Sequence, residues 1–242
     1  MGAAVSIEIE DRFNGPLSSG NGGYCSGVLA GLLDGVAEVR LRRPVPLDTP
    51  LDVEWAADGS VRALEGETLV AEGREIPSLD LEVPSPPVGL DEARRAMAGY
   101  RGLPDGMFSR CFVCGRARED AFGVFPGPVE GRRLVASTWT PPGWSADEEG
   151  HVRPELVWAA LDCPTYFALY TEGELPPSVL AQMAARIDAP VRAGEEHVVI
   201  AWPLESEGRK RFAGSAVLDR DGAPLALARA LLIEPRREEG SK

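Results

Sequence analysis

Hydrophobic and polar residues alternate along most of the chain, and this period of two predicts β-strands, because successive side chains of a strand point to opposite faces. Two segments lack the alternation. Residues 22–33 and 154–168 are apolar on nearly every side, which predicts helices buried all round. A short third helix is predicted over 91–100. Pro154 suits the first position of its helix, and Pro164 predicts that this helix ends or kinks nearby. The predicted strands span 5–10, 37–42, 51–56, 60–64, 68–74, 122–125, 134–139, 179–187, 197–204, 211–218 and 225–233.

The same unit, one buried helix followed by several strands, occurs twice. After the first helix, Arg43-Pro44-Val45 leads into strands that turn at Glu65-Gly66. After the second, Ala189-Pro190-Val191 leads into strands that turn at Asp221-Gly222. An internal repeat predicts two similar structural units, and a helix followed by antiparallel strands predicts an α+β fold. We predict an N-terminal unit over 1–76, a proline-rich linker with a short helix over 77–107, a C-terminal unit over 108–236 and a tail over 237–242.

Composition and charge narrow the classes of partner. Apolar residues make up 44% and charged residues 26% of the chain, as in a globular protein that can bury a core. The net charge of -13 repels phosphate backbones, which argues against nucleic acid and against an anionic membrane surface as partners. No apolar run approaches the ~20 residues of a membrane-spanning helix, and the acidic N-terminal region has no secretory signal. We therefore expect a cytoplasmic protein in which an anionic ligand needs a local basic patch.

The openings of the two buried helices differ, and the difference suggests where chemistry occurs. Gly22 and Gly23 open the first helix, where free backbone N–H groups and the positive end of the helix dipole attract an anion. Such N–H groups can hold the oxyanion that develops when a carbonyl group is attacked. Asp162 lies inside the apolar second helix, where an unpaired charge is costly. It therefore requires a partner or a task, such as activating water.

Three short motifs stand out: Asn21-Gly22-Gly23-Tyr24, Cys111-Phe112-Val113-Cys114-Gly115 and Ala160-Leu161-Asp162. These motifs resemble those of hotdog-fold acyl-CoA thioesterases. The resemblance implies a double hotdog fold, in which an antiparallel sheet wraps a central helix in each of two tandem units. It also implies that the partner is a small-molecule acyl thioester, with coenzyme A as part of the substrate and no separate cofactor. Because hotdog units commonly pair further, the resemblance also allows a homodimer.

The resemblance further implies which halves contribute to the site. In such thioesterases a catalytic carboxylate lies nine residues after the His of a His-Gly-Gly motif, and the glycine and the acid of one site come from opposite subunits. Here Asn21 replaces the His, Ala30 stands nine residues beyond it, and Arg153 stands nine residues before Asp162. One composite site is therefore implied, in which the diglycine of the first half faces Asp162 of the second half.

Other residues are implied near the substrate. Thioesterase II enzymes pair the acid with a hydroxyl and a late glutamine. Ser206 stands near the hydroxyl position, Ala230 near the glutamine position, and Gln182 is a substitute from a neighbouring strand. Because Ala230 cannot replace a glutamine, a non-catalytic hotdog protein that binds acyl-CoA or a small apolar ligand is the alternative function. A hotdog hydratase or dehydratase ranks lower, since neither histidine has the required spacing. The residues implied to bind substrate are Asn21, Tyr24, Trp158, Tyr166, Gln182 and Ser206.

The four cysteines raise the question of a metal site. Cys111 and Cys114 form a lone C-x-x-C pair, whereas a structural zinc site takes four ligands. Ordinary buried thiols without a metal are therefore expected, and a zinc site or a redox pair is the alternative. The basic run 209–211 is expected to be a solvated hairpin, with contact to a coenzyme A phosphate as its alternative. The other candidate ligands, scattered along the chain, are Cys25, Cys163, His151 and His197.

Overall fold

The computed structural model describes residues 5–102, 108–170 and 178–234. The end of the predicted linker, 103–107, and the predicted tail, 237–242, lie outside these residues. In the described part of the chain, no helix is long and apolar enough to cross a membrane. The helices are α1 (Gly22–Ala30), α2 (Leu90–Ala98) and α3 (Pro154–Leu169). The strands are β1 (Val5–Ile7), β2 (Ala37–Leu41), β3 (Leu51–Trp55), β4 (Val61–Glu65), β5 (Thr68–Glu75), β6 (Gly127–Pro128), β7 (Val135–Trp139), β8 (Val179–Ile187), β9 (His197–Glu207), β10 (Lys210–Leu218) and β11 (Pro224–Ile233).

The strands of the described residues join one antiparallel sheet, and its order shows how the two halves meet. The order is β1-β3-β4-β5-β2-β8-β11-β10-β9-β7-β6. From the junction of β2 with β8 outward, the order is β2-β5-β4-β3-β1 in the first half and β8-β11-β10-β9-β7 in the second half. If β1 and β7 are counted as the first strands of their halves, the two orders are the same. At the junction Val39 pairs with Met183, and both side chains are fully buried. The two halves therefore share one continuous sheet and one core.

The two central helices, α1 and α3, cross in close contact because α1 has glycines at the crossing. A β-carbon on Gly23 would lie 2.5 Å from Cβ of Asp162 and 2.6 Å from the carbonyl oxygen of Trp158. A β-carbon on Gly27 would lie 2.6 Å from Cα of Glu155. Only a residue without a side chain permits such an approach. The crossing fixes which residues of α3 face the start of α1.

α3 continues through Pro164, so of the two outcomes predicted at this proline, an end or a kink, the end is wrong. Proline in a helix interior removes a backbone hydrogen bond and costs about 3 kcal/mol. Burial offsets this cost, since all residues from Leu156 to Ala168 are buried. The hydroxyl of Thr165 also donates a hydrogen bond of 2.6 Å to the carbonyl oxygen of Asp162. Tertiary packing thus outweighs the local preference.

The predicted strand over 122–125 is also wrong. The backbone N–H of Phe122 donates to the carbonyl oxygen of Phe112 at 2.6 Å, which ties this segment to the cysteine-containing loop instead of to a strand ladder. Gly123 has a φ of 91°, outside the range of a β-strand. The apolar side chains of Phe122 and Val124 are buried nonetheless. Their alternation therefore reflects packing of an irregular segment.

Part of the predicted linker is a packed element. α2 lies against β7, and Val88, Ala93 and Ala96 share an apolar cluster with Ile200 and Trp202. Ile200 and Trp202 alternate along β9 with residues of the main core, so this cluster covers the opposite face of the sheet. The segment that joins the two halves therefore shields the second half of the sheet from water.

Gly27→Ala tests the helix crossing. The added methyl group would meet the backbone of α3, and overpacking of a core costs about 1–3 kcal/mol. We expect a free energy of unfolding lower by about 2 kcal/mol in urea titrations. Gly31→Ala is the matched control, because its β-carbon would lie no closer than 3.4 Å to its neighbours. It should leave stability unchanged or raise it by up to about 1 kcal/mol. Equal effects of the two variants would contradict a crossing limited by Gly27.

Candidate functional site

A carboxylate from one half of the chain meets the start of a helix from the other half. Asp162 lies in α3, and its Oδ2 accepts a hydrogen bond of 2.8 Å from the backbone N–H of Gly23 in the first turn of α1. Asn21 caps the same helix, since its Oδ1 accepts a hydrogen bond of 2.9 Å from the N–H of Tyr24. The resemblance implies that the diglycine faces Asp162, and the structure brings these two segments together.

Burial dominates the electrostatics of Asp162. Its side chain is among the buried polar groups, with 8% exposure of the residue. Burial raises the pKa of Asp162 from 3.8 to about 7, while the hydrogen bond from Gly23 opposes this rise. The partial positive charge at the start of α1 lies beside it. The site thus holds a carboxyl group that can gain or lose a proton near neutral pH.

The two glycines of the motif occupy different positions. Gly23 is buried at the helix crossing, and its N–H is already bonded to Asp162. Gly22 is partly exposed and lines a cavity, and its N–H donates to no residue that the structure describes. A β-carbon on Gly22 would lie 2.9 Å from Leu180 and 3.4 Å from Oδ2 of Asp162. The N–H of Gly22 is therefore the one available to a ligand next to the carboxylate.

A cavity of about 600 Å³ opens at this point, within the size range of small-molecule sites. Both halves of the chain contribute to its wall, and the apolar surface exceeds the polar surface. Two arginines, Arg42 and Arg43, lie along it. The guanidinium of Arg42 is paired with Glu72, whereas the exposed side chain of Arg43 makes no ion pair with a described residue. The lining includes residues 15–22, 41–45, 178–181, Phe108, Cys111, Cys114, Asp162, Cys163, Tyr166, Phe167, Leu232 and Ile233.

Of the residues implied to bind substrate, Asn21 and Tyr166 line the cavity. Tyr24 and Trp158 do not line it. Tyr24 stacks on Phe13 with ring centroids 4.1 Å apart, and Trp158 is buried under the helix crossing. These two aromatic residues support the helices that carry the site, without reaching the space a ligand would occupy.

Gln182 lies outside the cavity. Its amide donates to Glu38 at 2.6 Å and accepts from Arg40 at 2.9 Å, on the other face of the β2–β8 junction. The cause is an irregularity in the ladder of β8 with β11, where Leu180 pairs with Leu232 but Gln182 pairs with Leu231. One extra residue at such a bulge reverses the alternation, so Leu180 faces the cavity and Gln182 faces away.

Ser206 also lies outside the cavity. β9 extends beyond its predicted end, and Ser206 pairs with Arg211 near the tip of the β9–β10 hairpin. The residue is exposed there. Ser206 and Gln182, the residues that the resemblance implies for the hydroxyl and the glutamine, are therefore both absent from the described lining of the cavity.

Three cysteines, all named by the sequence as candidate metal ligands, form a polar cluster in the cavity wall, and their proximity was not predicted. Sγ of Cys111 lies 3.7 Å from Sγ of Cys163, which follows Asp162 directly. Asn21 Nδ2 faces both sulfurs, at 3.8 Å from Cys111 and 3.7 Å from Cys163. Hydrogen bonds from Cys114 and Cys163 lower the pKa of the Cys111 thiol. The available signal was the adjacency of Cys163 to Asp162 in α3.

The other candidate metal ligands lie elsewhere. Cys25 is buried in α1 and is not part of the cluster. His151 lies beside Glu149, and Nε2 of His197 is 3.0 Å from the carbonyl oxygen of Arg192. Among the described residues, Cys163 alone of the scattered candidates thus joins the C-x-x-C pair.

No protein-family model and no curated protein matches the sequence. Solved structures do match. The acyl-CoA thioesterase II TesB2 of Mycobacterium marinum is 12% identical, with 97% of this chain and 94% of that chain covered and a TM-score of 0.56. A conserved protein with hot dog fold from Alicyclobacillus acidocaldarius is 10% identical, with coverage of 98% and 94% and a TM-score of 0.59. The TesB protein of Mycobacterium avium subspecies paratuberculosis is 13% identical, with coverage of 89% and 87% and a TM-score of 0.57. The chain therefore has the hotdog fold, and thioesterase II proteins are among its structural neighbours.

Substitution of Asn21 tests its role as the cap of α1. Asn21→Ala removes the acceptor of the Tyr24 N–H, and loss of an N-cap costs about 1 kcal/mol. We expect this decrease in the free energy of unfolding, measured by urea denaturation. Asn21→Ser keeps a capping oxygen and should stay within about 0.5 kcal/mol of the original chain. A Ser variant as unstable as the Ala variant would show that the cap is not what Asn21 contributes.

Proposed function

We propose that this chain is an acyl-CoA thioesterase with one composite site between two hotdog units. The observation that carries the proposal is the position of Asp162 of α3 in the wall of a cavity, beside the N–H of Gly22 at the start of α1. A carboxylate and an available backbone donor at one cavity are the groups that hydrolysis of an acyl thioester requires. The fold shared with an acyl-CoA thioesterase II is consistent with this chemistry.

The proposal includes an internal duplication that left one site. The matching strand order of the two halves supports two tandem units. At the second helix start, Pro154 has no N–H and Glu155 would repel an oxyanion, while Ala30 stands where α3 has Asp162. In this proposal, the pair formed by the start of α1 and Asp162 of α3 keeps both the diglycine and the acid. The pair formed by the start of α3 and Ala30 has neither.

In the proposed reaction, Asp162 takes a proton from a water molecule, and the water oxygen attacks the thioester carbonyl carbon. Direct attack by the carboxylate, followed by hydrolysis of the anhydride, gives the same products. The N–H of Gly22 stabilises the oxyanion, and the C–S bond breaks as the intermediate collapses. The sulfur leaves as the thiolate of coenzyme A and gains a proton, so that one water is consumed and a carboxylic acid and a thiol are released. The N–H of Gly23 holds Asp162 in place.

The cavity is suited to an acyl group with a charged carrier. Tyr166, Phe167 and Leu232 give apolar surface to an acyl chain. Arg43 supplies a positive charge at the cavity. The chain as a whole has a net charge of -13, which repels phosphates. We place the phosphates of coenzyme A at this arginine, because guanidinium groups bind phosphate through charge-assisted hydrogen bonds.

The alternative function is a non-catalytic hotdog protein that binds acyl-CoA or a small apolar ligand. One observation favours it: neither Ser206 nor Gln182 reaches the cavity, and Ala230 occupies the position of the late glutamine. Saturable binding of acyl-CoA without release of thiol would support this alternative over hydrolysis.

Asp162→Asn tests the catalytic role. The amide cannot act as a base or as the proposed nucleophile, and general-base catalysis contributes about 10²–10⁴-fold. We expect kcat to fall at least about hundredfold, measured as free thiol released from a panel of acyl-CoA esters. Asp52→Asn, on an exposed position of β3, is the matched control and should keep full activity. Unchanged hydrolysis by Asp162→Asn would overturn the assignment. Absence of both hydrolysis and binding in the original chain would overturn both functions.

Arg43→Ala tests the proposed contact between Arg43 and the phosphates of coenzyme A. Loss of one charge-assisted hydrogen bond costs about 1.5 kcal/mol, so KM for an acyl-CoA should rise roughly tenfold with kcat unchanged. The same acyl group on N-acetylcysteamine, which has no phosphate, should show no change. Arg220→Ala, in the turn between β10 and β11, is the control. An equal rise in KM for both thioesters would contradict a phosphate contact at Arg43.

A further inference from the structure

The cysteine cluster in the cavity wall has a geometry of its own. Among the described residues, the sulfur atoms of Cys111, Cys114 and Cys163 all lie within 4.8 Å of one another. Cys111 and Cys114 are buried, Cys163 has 9% exposure, and all three are free thiols. They come from two distant segments, a loop and α3. The hydrolysis proposed above uses none of them.

We propose that Cys111, Cys114 and Cys163 bind one thiophilic divalent cation of the Zn²⁺ class, with its fourth coordination position open to the cavity. Zinc–thiolate bonds are about 2.3 Å, which places the sulfurs of a tetrahedral site roughly 3.8 Å apart. Sγ of Cys111 and Cys163 are already 3.7 Å apart. Three protein ligands and one open position define the arrangement in which zinc binds water or a ligand.

The orientation of the Asn21 side chain supports thiolate sulfurs as the ligands of the proposed cation. Its Oδ1 accepts from the N–H of Tyr24, which fixes the amide and turns Nδ2 toward Cys111 and Cys163. The Nδ2 group is a donor without an acceptor lone pair, so it cannot ligate the ion, but it can donate to the sulfurs. Donors around the ligand atoms orient metal ligands and stabilise their charge.

The loop that carries two of the ligands is held before any ion binds. The N–H of Gly115 donates to the carbonyl oxygen of Cys111 at 2.8 Å. A β-carbon on Gly115 would lie 2.5 Å from that oxygen and 2.7 Å from the carbonyl oxygen of Ser109, so only glycine allows so tight a loop. The N–H of Phe112 donates to Asn14 at 2.9 Å. A pre-formed loop lowers the entropic cost of binding the ion.

A disulfide is the competing use of these thiols. It would join two of the three sulfurs and leave the third as a buried thiol outside the bond. A cation uses all three sulfurs, and its charge offsets thiolates that buried surroundings would otherwise not tolerate. The cluster therefore fits a cation better than a pair of oxidised thiols.

Cobalt titration of the reduced, chelator-treated full chain tests the proposal. We expect one Co²⁺ per chain, with the thiolate-to-cobalt charge-transfer absorption and the strong visible bands of tetrahedral coordination. Zinc should displace the cobalt. X-ray absorption of the zinc form should give three sulfur ligands and one lighter ligand. A signal from fewer than three sulfurs, or a mass consistent with a Cys111–Cys163 disulfide in protein that binds no metal, would overturn the proposal.

Matched variants locate the site. Cys163→Ala should weaken cobalt binding by more than the 10–100-fold typical of a group that only supports a ligand, and Asn21→Ala should weaken it within about that range. Cys25→Ala removes a buried thiol outside the cluster and should bind cobalt like the original chain. Equal loss in Cys25→Ala and Cys163→Ala would overturn the assignment. If Cys163→Ala does not fold, the sulfur count from the original chain decides. These readouts do not depend on thioester hydrolysis, so either proposal can fail alone.

Discussion

Gly23 and Gly27 let α1 approach α3 until the backbone of one helix touches the other, and the candidate site depends on that approach. Asp162 reaches the N–H of Gly23 only because no side chain separates the helices. The same contact places Gly22 at the cavity wall, beside the carboxylate. A larger residue at Gly23 would displace Asp162 as well as the helix, so packing and chemistry are coupled at one residue.

The proposed duplication would explain how an acid and a helix start come to face each other. Two similar helices that cross in a shared core present each helix start to the middle of the other helix. Two equivalent sites would bury two carboxylates, and each buried charge costs stability. Among the described residues one carboxylate, that of Asp162, is buried, opposite the start of α1, and Ala30 and Pro154 stand at the other position. In the proposed function, a single composite site thus limits the cost in stability while keeping the cavity.

The alternation of apolar and polar residues predicts single strands well in this chain, because the burial of alternate side chains is encoded within each strand. β8 has the bounds that the alternation predicts, and both glycine positions of the site follow from the helix opening. Contacts between remote segments were predictable only where the resemblance supplied the pairing of Asp162 with the diglycine. The bulge that turns Gln182 away is invisible in the pattern. The approach of Cys163 to the C-x-x-C loop joins α3 to a distant segment of the chain, and no local pattern encodes such a contact.

The central claim is that one carbonyl group is held between Asp162 and the start of α1. The most direct test is a crystal structure with an acyl-CoA analogue whose sulfur is replaced by methylene, so that the carbonyl remains but cannot be hydrolysed. The account predicts the acyl chain inside the cavity, with the carbonyl oxygen about 3 Å from the N–H of Gly22 and the Asp162 carboxylate beside the carbonyl carbon. A carbonyl oxygen bound outside this cavity, or more than about 5 Å from the Gly22 nitrogen, would contradict it.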